Sequence, residues 1–146
     1  MHPLLTRFLK IIGYGVGSLV GLVAILALAL GFLVPDLCGN SVLAESVSPN
    51  GKLKAVVFTR DCGATTDFST QVSLVKAGDT LKNDGGNLFI ADRDHRKAPT
   101  GQSGGPAVAV RWISDGQLRV EHHALARVFK SEPLRQEVRV EYAVFN

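Results

Sequence analysis

An uninterrupted apolar run from Ile11 to Val34 constrains this chain more than any other feature of its sequence. The run is 24 residues long and contains no charged residue, no side-chain amide and no proline. As an α-helix it would extend roughly 36 Å, which exceeds the ~30 Å hydrocarbon core of a bilayer. A helix of a soluble domain normally keeps one polar face. The run predicts a transmembrane helix (11–34) between a short tail (1–10) and one larger domain (35–146).

The charges on the two sides of this run predict its orientation. Arg7 and Lys10 precede it, whereas Asp36 follows it and the next basic residue is Lys52. Basic residues close to a membrane span stay in the cytoplasm. We expect residues 1–10 to be a cytoplasmic tail and residues 35–146 to lie outside the cytoplasm.

Two other fates of the apolar run are open at this point. Ala29-Leu30-Gly31 could serve as the cleavage site of a signal peptide, although the apolar region of a signal peptide is usually about 7–15 residues long. Cys38 could in principle accept a lipid, but the segment before it, 35–37, is bulky and charged. A permanent signal anchor fits the length of the run better than either alternative.

Small residues recur within the run at intervals of four. Gly13, Gly17 and Gly21 have the spacing that lets two membrane helices approach closely. Glycine is also common in membrane helices that pair with nothing. The spacing is compatible with a partner helix or a homodimer in the bilayer, and the general frequency of glycine in membrane helices is the other explanation.

The larger domain is nearly neutral. Removing Arg7 and Lys10 from the 16 Lys and Arg of the chain leaves 14, against 13 Asp and Glu. A nucleic-acid-binding surface needs a basic face. The balance argues against nucleic acid as a partner.

Beyond the apolar run, short segments of alternating apolar and polar residues are separated by turn signals such as Ser48-Pro49-Asn50-Gly51. This pattern of alternating segments and turns predicts an all-β fold of about seven antiparallel strands, arranged as a sandwich or barrel-like sheet. The one segment that could hold a short helix is Ala124–Lys130. The predicted strands lie at 42–47, 53–57, 72–74, 88–90, 108–112, 118–122 and 138–144.

Several segments of this domain form a distinctive pattern. They are CGN at 38–40, SPNGKLKAVVFTRDCGATT at 48–66, FSTQVS at 68–73, GNLFIAD at 86–92 and GGP at 104–106. The pattern resembles a family of small bacterial proteins of unknown function that are typically exported or membrane-anchored. The resemblance implies one small domain in the bacterial envelope, and it supplies no catalytic residues. Together with the predicted transmembrane helix, this location predicts the bacterial inner membrane.

The two cysteines of the chain are Cys38 and Cys62. Disulfides persist outside the cytoplasm, so the predicted orientation favours a bridge between them. By the chain-entropy model, closing a loop of about 25 residues stabilises the fold by roughly 3.5 kcal/mol. The alternative is a nucleophilic Cys62, which would need a nearby histidine as base, and none is close in sequence.

Two loops contain candidate ligand-binding side chains. Thr65 and Thr66 follow Cys62 in a segment that could bind a polar ligand, although such hydroxyls more often satisfy their own loop. The longer segment, 92–106, begins with Asp92, Asp94 and His95, and continues with Arg96 and Lys97. We expect this loop to be weakly packed because it has almost no apolar residues, and to form a ligand or partner surface.

Metal binding by the second loop is a weaker alternative. Asp92, Asp94 and His95 could hold a divalent cation only with further ligands from elsewhere. His122 and His123 are the natural donors, yet strand alternation directs them to opposite faces. We predict that His122 lies at the edge of the core. No metal and no cofactor are expected.

These observations favour a non-catalytic binding or assembly module anchored in the lipid bilayer. The alternative is an envelope enzyme, or a metal- or ligand-binding protein, that uses Cys62 or the segment 92–95. A third possibility is that the glycine-spaced helix is the active part and pairs with another membrane protein. The sequence names neither ligand nor protein partner.

Overall fold

The computed structural model describes residues 3–33, 38–63 and 68–146. The chain forms two compact units, which divide between Leu37 and Cys38. The first contains one long helix and the second contains all the described strands. An all-β domain behind a single N-terminal helix is the fold class that the sequence predicts.

Helix α1 spans Pro3–Leu33, so it begins eight residues before the predicted span. Its segment Lys10–Gly31 has a mean hydropathy of 2.3 and is long and apolar enough to cross a membrane. Almost all the side chains described in this segment are exposed. A surface this apolar fits a membrane anchor or a signal sequence.

Across residues 38–63 and 68–146, the second unit contains nine strands in two sheets. The order in the larger sheet is β1-β2-β3-β4-β7, and in the smaller one it is β5-β6-β9-β8. The strands are β1 Gly39–Val47, β2 Leu53–Asp61, β3 Ser69–Lys76, β4 Phe89–Asp92, β5 Val108–Ser114, β6 Gln117–His123, β7 Arg127–Ser131, β8 Leu134–Arg135 and β9 Val138–Phe145.

One hydrophobic core lies between the two sheets. The apolar side chains of β6 and β9 that alternate toward the core, such as Leu118 and Val138, are buried, and their polar neighbours are more accessible. In the central part of β2 and β3 both faces are buried, and the loop before β4 contacts the outer face, where the amide of Gly86 donates to the Gln71 side chain at 2.6 Å. The run 55–58 is accordingly apolar without alternation. The core residues are Ala55, Val57, Val72, Leu74, Leu88, Phe89, Ala91, Leu118, Val120, Val138 and Val140.

The predicted helix at Ala124–Lys130 is wrong. A tight turn, closed by the amide of Ala126 donating to the carbonyl of His123 at 3.0 Å, leads directly into β7. β7 pairs antiparallel with β4, and Phe129 is the extra residue at a register shift in that pairing. A β-branched residue and an aromatic residue, Val128 and Phe129, suit a strand better than a helix.

Two further features of the smaller sheet differ from the simple antiparallel prediction. β6 and β9 run parallel, with register from Gln117↔Arg139 to His123↔Phe145. After β6 the chain crosses to the larger sheet, forms β7 there and then returns to the smaller sheet, so β9 can run in the same direction as β6. The two-residue strand β8 was not predicted. In its turn into β9, Gln136 and Glu137 have φ values of 48° and 66°. Hairpin turns of this conformation usually contain Asn-Gly, and the absence of that signal here left the hairpin unpredicted.

Candidate functional site

The disulfide between Cys38 and Cys62 is present, as predicted. It joins the residue before β1 to the residue after β2, next to the paired Gly39 and Asp61. The side-chain amide of Asn83 also donates to the carbonyl of Cys38 at 2.8 Å. The bridge thus fixes the beginning of β1. In this oxidised state Cys62 has no thiolate to act as a nucleophile.

Thr65 and Thr66 lie outside the described residues, so their predicted ligand-binding role stays a prediction. On the described side of this gap, Gly63 has a φ of 97° and its amide donates to the Asp61 carboxylate at 2.9 Å. The chain leaves β2 through this turn, which a glycine adopts without strain.

Asp92 ends β4 with a buried carboxylate that is paired with Arg127 at the start of β7. The Arg127 Nε donates to Asp92 Oδ1 at 3.1 Å, and the amide of Asp94 donates to the same oxygen at 2.8 Å. The Arg127 Nη2 donates to the other oxygen, Oδ2, so both carboxylate oxygens of Asp92 have protein donors. Across residues 3–33, 38–63 and 68–146, no three His, Cys, Asp or Glu side chains converge as a metal site.

After Asp92 the chain makes a left-handed turn. Asp94, His95 and Arg96 have φ values of 46°, 57° and 72°, a region that non-glycine residues seldom adopt. The turn exposes His95 and Arg96. The Lys97 Nζ donates to Asp94 Oδ2 at 2.6 Å, and this hydrogen bond holds the pKa of Asp94 below its ordinary value.

The remainder of the segment 92–106 is packed more firmly than the sequence predicts. Ala98 is fully buried, and its amide and carbonyl bond with Arg93 at 3.0 Å each. The buried Thr70 hydroxyl donates to the carbonyl of Pro106 at 2.7 Å. A Cβ on Gly105 would collide with Thr70, which explains the glycine there. The prediction of a weakly packed loop is wrong because it counted only apolar side chains and not these backbone contacts.

The two adjacent histidines of β6 occupy different environments. His122 is 9% exposed and its ring lies 5.2 Å from that of Phe89, so it is the predicted histidine at the edge of the core. His123 lies against Phe145 with the ring centroids 5.7 Å apart. Neither lies in a cluster with Asp92, Asp94 and His95 that could hold a metal.

A groove of about 510 Å³ separates β1 from β5, and the sequence did not predict it. One wall is Leu43–Ser46 of β1, and the other is formed by β5 and the C-terminal part of the segment 92–106. Val57 of the core contributes to the lining, so the groove reaches the hydrophobic interior. The lining residues are Leu43, Ala44, Glu45, Ser46, Val57, Gly101, Gln102, Pro106, Ala107, Val108, Ala109 and Val110.

The groove is mainly apolar. Among its described lining residues, Glu45 is the one with a charged side chain, and Lys54 neutralises it at 3.0 Å. Leu43, Val108 and Val110 pack on the core yet stay only partly buried. No local pattern identifies such a groove, because its two walls are about 60 residues apart in the chain.

A second depression, of about 620 Å³, lies beside the end of β3. Its lining includes Lys76, Lys82 and Arg135 together with Asp79 and Asp84. These five side chains belong to exposed residues and carry both signs of charge. The lining of this depression contains five charged residues, whereas the described lining of the groove contains one.

Comparisons with known protein families, with curated proteins and with solved structures found no match to this chain. The resemblance to the family of small exported or membrane-anchored bacterial proteins stays a prediction.

Proposed function

We propose that this protein is a non-catalytic binding module of the bacterial envelope, anchored in the inner membrane by α1 with its β domain outside the cytoplasm. Arg7 and Lys10 at the N-terminal side of the apolar segment support this orientation. The disulfide supports it independently, because disulfides persist in oxidising compartments and are rare in the cytosol.

The observation that carries the binding function is the groove between β1 and β5. Binding sites are typically concave, mainly apolar and few in number. This groove is concave and mainly apolar, and partly buried core side chains remain accessible within it. A ligand that covers Leu43, Val108 and Val110 would gain hydrophobic free energy without moving the core.

The enzyme alternative has less support. A nucleophilic Cys62 requires a thiol, and Cys62 is bonded to Cys38. A general base at Asp92 requires a carboxylate free to accept a proton, and Arg127 holds that carboxylate. The segment 92–97 is better explained as a structural connection between β4 and the groove wall.

The helix contributes a second proposed interaction, within the bilayer. Gly13, Gly17 and Gly21 leave open space where a neighbouring helix could approach. A partner helix or a second copy of α1 would pack along this line. The β domain would then be held next to the protein whose helix packs against α1.

Two measurements test the proposed function. A reporter enzyme that is active only outside the cytoplasm, fused after Asn146, should be active. A photo-crosslinking residue at Ala44, on the groove wall, should give a discrete adduct in living cells, and Ala109→Trp in the same chain should remove it. The matched control is the crosslinker at Val47, which is exposed on the same strand but lies outside the groove lining.

An inactive reporter would overturn the orientation and, with it, the redox argument. Equal adducts from Ala44 and Val47 would show that the groove is not the binding surface.

A further inference from the structure

The walls of the groove are the edges of the two sheets. The larger sheet ends in β1 and the smaller sheet ends in β5. An edge strand pairs on one side only and presents backbone N–H and C=O groups on the other. The groove therefore offers main-chain donors and acceptors as well as apolar side chains.

At one end of the boundary between β1 and β5, a backbone carbonyl of an edge strand already accepts a hydrogen bond. The indole Nε1 of Trp112 donates to the carbonyl of Ser46 at 2.9 Å. Nearby, the amide of Asn50 donates to the Asp115 carboxylate at 2.8 Å. These two bonds join the sheets at one end, and the groove begins at Ser46.

β5 is the better template of the two edges. β1 has a register shift at Leu43, which interrupts a regular ladder. β5 keeps a continuous register with β6 from Val108 to Trp112, so its outer edge repeats regularly along that length. At ~3.3 Å per residue this edge is roughly 17 Å long, which matches a strand of about five residues.

The side chains along the groove define what such a strand would carry. Val108 and Val110 present apolar surface at alternate positions, and Leu43 faces them from β1. With Glu45 neutralised by Lys54, the lining selects no charge on the incoming segment. The complementary sequence alternates apolar and polar residues, with the apolar ones directed toward the core.

We propose that the groove binds an extended peptide segment, which adds as a strand to the free edge of β5 and completes the core with alternate apolar side chains. This inference rests on the proposed function, since it specifies the ligand class of the same groove. The added strand would pair through its backbone on one edge, so only every second amide of the peptide would donate to β5.

The test uses the full chain in lipid nanodiscs and a library of short peptides in which variable apolar residues alternate with threonine. The tightest binder is then made in two N-methylated forms, each blocking one of the two alternating sets of amides. One form should bind at least tenfold more weakly, and the other should bind as the parent does. Backbone amides of β5 should gain protection from hydrogen exchange, whereas those of β9 should not.

Variants with matched positions sharpen the test. Ala44→Trp, which fills the groove, should abolish binding, and Val47→Trp on the same strand should leave it unchanged. Absence of any binder in the library, equal binding of both N-methylated forms, or β5 protection that rises with protein concentration in the absence of peptide would each overturn strand addition. If crosslinking from Ala44 succeeds in those cases, the binding module stands with a different ligand or with a second copy as occupant.

Discussion

The two sides of the β sandwich differ in how their sheets meet. On the side where β7 passes into β8, only Glu132 and Pro133 separate a strand of one sheet from a strand of the other. On the opposite side, β1 and β5 face each other across the groove. We refer to these as the closed side and the open side.

On the closed side, the two residues between β7 and β8 form backbone hydrogen bonds with both sheets. The amide of Glu132 donates to the carbonyl of Leu88 at 2.9 Å, and the carbonyl of Pro133 accepts from Val140 at 2.9 Å. The Tyr142 hydroxyl donates to the carbonyl of Glu132 at 2.8 Å. A short covalent connection holds the two sheets together there, whereas β1 and β5 have no such connection and, among the described residues, are joined by hydrogen bonds at one end only. The groove that reaches Val57 of the core is therefore on the open side.

The largest expected effect concerns the disulfide, which fixes β1 on the open side. Cys38→Ala and Cys62→Ala should each reduce the free energy of unfolding by about 3.5 kcal/mol, because each opens the same loop. In either variant the amides of β1 should exchange before those of β9. Chemical denaturation and hydrogen exchange measure both effects.

The double variant is the control for this comparison, and it should be no less stable than either single variant. A much larger loss from Cys62→Ala alone would indicate a separate role for that sulfur. Equal loss of protection in β1 and β9 would remove the distinction between the two sides.

An intermediate effect is expected at the closed side from Tyr142→Phe. The variant removes the hydroxyl donor and leaves the carbonyl of Glu132 without that bond, which should cost about 1 kcal/mol. Burial, together with the charge of Glu132, raises the pKa of Tyr142, so the hydroxyl keeps its proton across the ordinary pH range. Denaturant unfolding measures the change.

Tyr14→Phe, at an exposed position in α1, is the matched control and should not alter the stability of the β domain. Peptide binding in the groove should survive Tyr142→Phe, since the substitution acts on the other side. Lost binding with an intact fold would show that the two sides are coupled.

The smallest effect concerns the loop that connects the two sides. The hydrogen bond from Lys97 holds the pKa of Asp94 below its ordinary value, so this contribution to stability is present above the ordinary pKa and is lost as the pH falls through the lowered one. Lys97→Met should raise the pKa of Asp94, as measured by NMR of the carboxyl carbon. Arg96→Met, a change to an adjacent exposed cation, should leave it nearly unchanged, and an equal rise in both variants would contradict a specific bond.

Much of the fold was predictable because its signals are local. The apolar helix follows from one uninterrupted segment, and β6 and the first half of β9 follow from the alternation of apolar and polar residues. Alternation also placed His122 at the edge of the core. The pairing of Cys38 with Cys62 needed only their number and the predicted compartment.

What only the tertiary structure decided involves residues that are distant in sequence. β7 has no alternation, because as a sheet edge it is largely exposed on both faces, and its pairing with β4 overrides the helical tendency of Ala124–Lys130. The parallel pairing of β6 and β9 depends on the path of the chain through the other sheet. The groove is likewise set by how far two edge strands stand apart. Local patterns determine which face of a strand is buried, but the distance between two edges depends on the packing of the whole core, which no single segment encodes.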